Sequence, residues 1–145
     1  MSQISPTTPV LIGIAQYTER LDDLHYQALS PVAITAQAAR LALQDCGGSS
    51  IGKMIDTIMT ARTFEDSTPA LAFPHGRSDN FPRSVCKRLG ITPASAVWAM
   101  SGGDSPQKMV AEACERIAEG LSSAVLICGG EAMSIAVREA RAKSG

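Results

Sequence analysis

The strongest constraint on this chain is an alternation: four short apolar runs, separated by polar or glycine-bearing breaks and stretches of helical period. Val10 to Ala15 is a nearly continuous apolar run, as expected of a strand covered on both faces. A polar loop runs from Tyr17 to Leu29. Ser30-Pro31 then opens a helix, with Ser as N-cap and Pro at the first helical position, where its missing N–H costs nothing. Ile34, Ala38 and Leu41 continue it, and Gly47-Gly48 ends it. Ile55 to Thr60 alternates and is β-branched, which predicts a second strand. Residues 61–80 carry no period and form a long irregular loop. Pro82 to Leu89 reads as a short helix, with Asn80 or Phe81 near its cap and Gly90 just past its end. Ala96 to Met100 is a third strand. Val110, Ala113, Cys114, Ile117 and Leu121 form a helical stripe that ends at Gly120. Ala124 to Cys128 is a fourth strand, followed by Gly129-Gly130-Glu131 and a helical tail rich in Ala, Arg and Glu. Strands alternating with helices imply an α/β fold: a mostly parallel sheet, right-handed crossovers, and helices on both faces.

Composition narrows the classes of function. With 145 residues, 45% of them apolar, residues 1–145 suit one domain with its own core. A net charge of −1 argues against nucleic acid as a partner, and 4% aromatic content supplies few stacking platforms. No run of about 18 apolar residues predicts a membrane span. The polar start, Met1 to Pro9, lacks a secretory layout. Cys46, Cys86, Cys114 and Cys128 contain no CxxC pair and have no His at ligand spacing, so no metal site is expected. All four read as reduced thiols of a cytoplasmic protein.

In parallel sheets, ligands bind beyond the carboxyl ends of strands. That rule directs attention to Ser101-Gly102-Gly103-Asp104-Ser105-Pro106, a tight turn into a helix beginning at about Asp104 or Ser105. Two glycines let the backbone bend sharply and approach a ligand. The free N–H groups of the helix start can hold a phosphate or a carbonyl oxygen that gains negative charge. An ordinary glycine turn with an N-cap, which would account for Ser105, accommodates the same residues.

Ser101 to Gln107, a helix ending at Gly120, and then Cys128-Gly129-Gly130-Glu131-Ala132-Met133-Ser134 resemble the N-terminal half of the thiolase superfamily. Within it they are most similar to the sterol-carrier-type thiolases and their bacterial acetyl-CoA acetyltransferase-like relatives. Pro9 to Gln16, Ser30-Pro31, Phe81-Pro82-Arg83-Ser84 and Leu89-Gly90-Ile91 fit the same pattern, so the resemblance spans nearly the whole chain. It implies a coenzyme A thioester as substrate, with no bound cofactor, and carbon–carbon bond chemistry.

The resemblance also exposes a departure. The nucleophilic cysteine of active thiolases falls at Gly103, which has no thiol and cannot form an acyl-enzyme. Cys114 lies mid-helix, Cys86 in the preceding helix, and Cys128 closes the fourth strand, so none takes its place. Gly102 and Gly103 are therefore expected to act through backbone N–H groups, with Ser105 nearby and Ser101 and Asp104 flanking the substrate. Glu131 is expected to support a neighbouring loop by accepting from its N–H groups. His75 is a catalytic candidate or an ordinary exposed loop residue. Arg77, Arg83, Lys87 and Arg88 form a basic group suited to CoA phosphates or a solvated helix face. Family members are longer: a fifth strand and a second half, with the catalytic His, complete them. The chain is thus expected to be a fragment, a truncated form or a split subunit needing a complementing C-terminal half or second subunit. In the family the third strand lies at a sheet edge and pairs with its twofold mate. Val97, Trp98 and Met100 would then form an isologous homodimer interface. Two functions are consistent with this pattern: an acyl-CoA-acting enzyme without a covalent intermediate, or a non-catalytic acyl-CoA-binding or dimerisation scaffold.

Overall fold

The computed structural model describes residues 4–47 and 50–144. Gly48, expected to help close the first helix, and the terminal Gly145 lie outside them. The first helix, α1 (Pro31–Asp45), is capped by Ser30, whose hydroxyl accepts from the Ala33 N–H at 3.2 Å. A four-residue helix α2 (Ile51–Met54), too short for a periodic signal, leads into strand β1 (Thr57–Ala61). Helix α3 (Phe81–Leu89) starts on Asn80, which accepts from the Arg83 N–H, and stops at Gly90 with φ +71°. That left-handed turn is available to glycine at little steric cost. Strand β2 (Ser95–Ala99), helix α4 (Ser105–Ala118), strand β3 (Val125–Cys128) and helix α5 (Met133–Ser144) complete the chain.

The three strands form one parallel sheet in the order β2-β1-β3, with Met59 of β1 level with Val97 on one side and Ile127 on the other. The central position of β1 explains why Ile58 and Met59 are both fully buried although they point to opposite faces. On one face, Ala36 and Ala39 of α1 and Val85 of α3 pack over Ile58 and Leu126. On the other, Met109 and Ala113 of α4 cover Met59, with Val97 and Ile127 alongside. Helices thus lie on both faces of the sheet, as the alternation predicts.

One strand prediction fails. Residues 10–15 form no strand, and Val10, Leu11 and Ile14 are exposed. Apolar content predicts burial only if a sheet edge is within reach; this segment instead runs past the C-terminal end of α1. The Ile14 N–H donates to Asp45 at 2.9 Å, and a Cβ at Gly13 would sit only 2.5 Å from the Ala42 carbonyl. The long loop is more ordered than its sequence suggests, containing short 3-10 turns at Phe64–Asp66 and Pro69–Leu71. Among the described residues no helix is long and apolar enough to cross a membrane.

Candidate functional site

The turn after β2 begins at Met100, which is largely exposed, and runs through exposed Ser101, Gly102 and Gly103. Asp104 occupies the N-cap position of α4, but its carboxylate makes no capping bond and pairs instead with Lys108 at 2.7 Å. A hydrogen bond and the positive charge from Lys108 hold the Asp104 carboxyl below the usual range. Ser105 is no cap either. It is buried in the first turn, and its hydroxyl donates to the Met100 carbonyl at 2.6 Å. The N-capping role anticipated for Ser105 is therefore replaced by a clasp closing the turn, reinforced by the Ser105 N–H on the Gly102 carbonyl at 3.1 Å.

The two glycines of this turn differ. A Cβ on Gly102 would meet Asp104 Oδ1 at 3.1 Å and Ser105 Oγ at 3.3 Å. A Cβ on Gly103 would meet nothing within 4 Å, and its φ is outside the left-handed region. Neither crowding nor backbone conformation demands glycine at position 103. The result is open space at the head of a 14-residue helix whose dipole favours negative charge there.

At the end of β3 the pattern reverses. Gly129 is open, whereas a Cβ on Gly130 would stand 2.7 Å from Thr35 Oγ1 and 3.1 Å from Ile34 Cγ2. Gly130 thus lets β3's exit pass directly against α1. Glu131 then reaches across to the long loop, where Oε1 accepts from the Phe64 N–H at 2.8 Å. Desolvation pushes the Glu131 carboxyl up, the Phe64 bond opposes this, and nearby Glu65 pushes it further up. Glu65 is itself buried, accepting from Thr63 Oγ1 and from the Phe73 N–H.

The remaining candidates sit elsewhere. His75 pairs with Glu139 of α5 at 2.7 Å and meets Phe73 edge-on at 5.5 Å, contacts that join the loop to α5 and not to the Gly102-Gly103 turn. Arg77 pairs with Asp66. Arg83 is anchored to the carbonyls of Pro93 and Ala94 and leaves the basic group. Val97 packs against the Met59 cluster, and Trp98 packs toward the α1 face with the Arg62 guanidinium 4.6 Å above its ring. All four cysteines are free. Burial raises the Cys86 thiol, and burial together with Cys86 pushes Cys128 up to about 12. Neither is an activated nucleophile. Among the described residues no three acidic, His or Cys groups could hold a metal ion.

Several polar groups near these strand ends escape a reading by motif. Thr35 Oγ1, Thr60 Oγ1, Trp98 Nε1 and Arg62 Nε are buried without a hydrogen-bond partner among the described residues. Thr35 lies in α1, Thr60 in β1 and Arg62 just past it; single polar residues in apolar elements carry no local pattern, so no sequence signal marks them.

No family model matches the chain, and no curated protein matches it. Solved structures do. A monomeric SCP2-thiolase like protein type 1 from Mycobacterium smegmatis is 36% identical with a TM-score of 0.70, over 86% of this chain and 24% of that one. An acetyl-CoA acetyltransferase from Syntrophomonas wolfei is 21% identical with a TM-score of 0.58, over 81% of this chain and 27% of that one. OleA from Xanthomonas campestris with cerulenin is 16% identical with a TM-score of 0.60, over 90% and 36% respectively. The latter two speak to the fold alone. The chain spans about a quarter to a third of the length of these structures.

Proposed function

The chain belongs to the thiolase superfamily, and on that premise we propose that it is the N-terminal part of an acyl-CoA-acting enzyme that works without a cysteine acyl-enzyme. The observation that carries this reading is the turn after β2: it is clasped by Ser105, and Gly103 leaves open space where a nucleophile would stand. Backbone N–H groups of Gly102 and Gly103, with the positive end of α4, suit a thioester carbonyl oxygen that becomes an enolate or alkoxide oxygen. Ser101 and Asp104 flank that position. The chemistry is a Claisen- or aldol-type step in which a base removes the α-proton of one thioester and the carbanion attacks a second carbonyl carbon. In the Claisen case the tetrahedral alkoxide collapses, the C–S bond breaks and coenzyme A leaves as a thiolate that takes up the proton; in the aldol case the alkoxide itself is protonated. No bond to sulfur of this chain forms at any stage. The base and acid come from a complementing C-terminal half or second subunit.

The partner proposed for β2 is a second copy of the chain. The strand is an edge of the sheet, and Val97, Trp98 and Met100 belong to or adjoin it. The relative from Mycobacterium smegmatis is monomeric, so oligomeric state is a property on which the two can differ. A second reading, an acyl-CoA-binding scaffold without turnover, draws support from Asp104 being engaged by Lys108.

The experiment is intact-mass spectrometry of the complemented enzyme during turnover of an acyl-CoA. Product formation with no acyl adduct on Cys46, Cys86, Cys114 or Cys128 is the expected result. A stoichiometric adduct on any of them refutes the non-covalent mechanism. Tight acyl-CoA binding without product favours the scaffold.

A further inference from the structure

A cavity of about 610 Å3 opens between the first turn of α1, one face of α3 and the loop at 73–78. It lies apart from the Gly102-Gly103 turn, none of whose residues line it. Its volume is in the range of small-molecule sites. Lys87 and Arg88 bring two exposed cations from α3, and among the described residues neither side chain has an ion-pair or hydrogen-bond partner. Arg77 brings a third from the loop, with its charge matched by Asp66 and several donors left over. Ser78 and Ser84 share a hydrogen bond of 2.8 Å between their hydroxyls, which leaves one of the two O–H groups to donate on the same wall. Ser30 and Pro31 place the positive end of a 15-residue helix at the rim. Glu65 is the opposing carboxylate, and both of its oxygens are already taken.

We propose that this cavity is a binding site for a phosphate-bearing small molecule. Unmatched cations from one helix face, a third cation from a facing loop and a hydroxyl donor between them suit several phosphate oxygens at once. The loop that supplies Arg77 is held in place: Glu65 fixes Phe73, Asp66 fixes Arg77, and Glu139 fixes His75. Little ordering then remains to be lost on binding. The phosphates could be carried by the nucleotide end of a coenzyme A thioester or by a separate phosphorylated ligand. The site itself does not depend on the acyl-CoA reading.

The test is isothermal titration calorimetry of the full chain with two probes, sodium pyrophosphate and adenosine 3′,5′-bisphosphate, at low and moderate salt. The double variant Lys87→Gln/Arg88→Gln removes two exposed cations, and Arg141→Gln/Lys143→Gln on α5 removes the same charge elsewhere. Far-UV circular dichroism checks that both remain folded. Expected is saturable binding that weakens at least about tenfold in the first variant, since two cations that can make charge-assisted hydrogen bonds to phosphate are removed. The α5 variant should change by less than about twofold, and added salt should weaken binding. Tighter binding of the bisphosphate assigns the nucleotide end of a coenzyme A thioester; equal or tighter binding of pyrophosphate assigns a separate phosphorylated ligand. No binding of either probe, or equal losses in the two variants, overturns the proposal. If the acyl-CoA reading fails, the pyrophosphate result still stands.

Discussion

The Ser105 hydroxyl donates to the Met100 carbonyl at 2.6 Å, so the first residue of α4 holds the residue at which the glycine turn begins. The bond makes the bend a closed unit, and the backbone of Gly102 and Gly103 is presented from a fixed frame. Ser105→Ala should lower stability by about 1 kcal/mol, the usual cost of one such bond. Urea denaturation checks this, and an unchanged midpoint would mean the clasp contributes nothing.

Two adjacent glycines should respond unequally. Gly130→Ala drives a methyl toward Thr35 Oγ1 and Ile34, and overpacking of this kind costs about 1–3 kcal/mol. Gly129→Ala points into open space and should stay within about 0.5 kcal/mol of the parent. Comparing the two unfolding midpoints checks the close approach of β3's exit to α1.

Gly103→Cys should fold with little loss, because nothing lies within 4 Å of the added Cβ. The new thiol stands at the head of α4, where the helix dipole favours a thiolate. Peptide mapping after limiting iodoacetamide should find it alkylated before Cys86 or Cys128, whose thiols burial pushes up. Slower labelling than Cys86 would contradict this view of the turn.

Asp56 sets an acid limit. Burial pushes its carboxyl up, but bonds from Ser122, Ser123, Thr57 and Ala124 outweigh this and hold it below the ordinary 3.8. Its stabilisation is therefore complete above the unfolded value near 3.8 and is lost as pH falls through the lower folded value. Asp56→Asn should cost on the order of 1 kcal/mol at pH 7 and flatten the fall in stability below pH 4. Unfolding midpoints from pH 2.5 to 7 check the sign.

Light scattering at micromolar concentration should return twice the 15.2 kDa chain mass if β2 pairs with a second copy. A single-chain mass would leave β2 to a different neighbour.

Local chemistry made much of this legible. Ser30-Pro31, Asn80 and the left-handed Gly90 and Gly120 mark helix limits because each acts within a turn of its own position. The Gly102-Gly103 bend is local in the same sense. The features that escaped depend on distant partners. Residues 10–15 have strand-like composition, but a strand also requires an edge to pair with. The identity of the loop residue that Glu131 holds, Phe64, is one of them: the two are 67 positions apart, and no spacing rule names the partner. Of the basic group read from Arg77, Arg83, Lys87 and Arg88, Arg83 is drawn off by the carbonyls of Pro93 and Ala94, which no local pattern signals.

The loop over the basic cavity is suspended from the chain beyond β3. Glu131 grips it at Phe64, and Glu139, two helical turns further on, grips it at His75. Helix α5 is consequently a handle on the basin beneath: it helps to fix a wall of a pocket that it does not itself line.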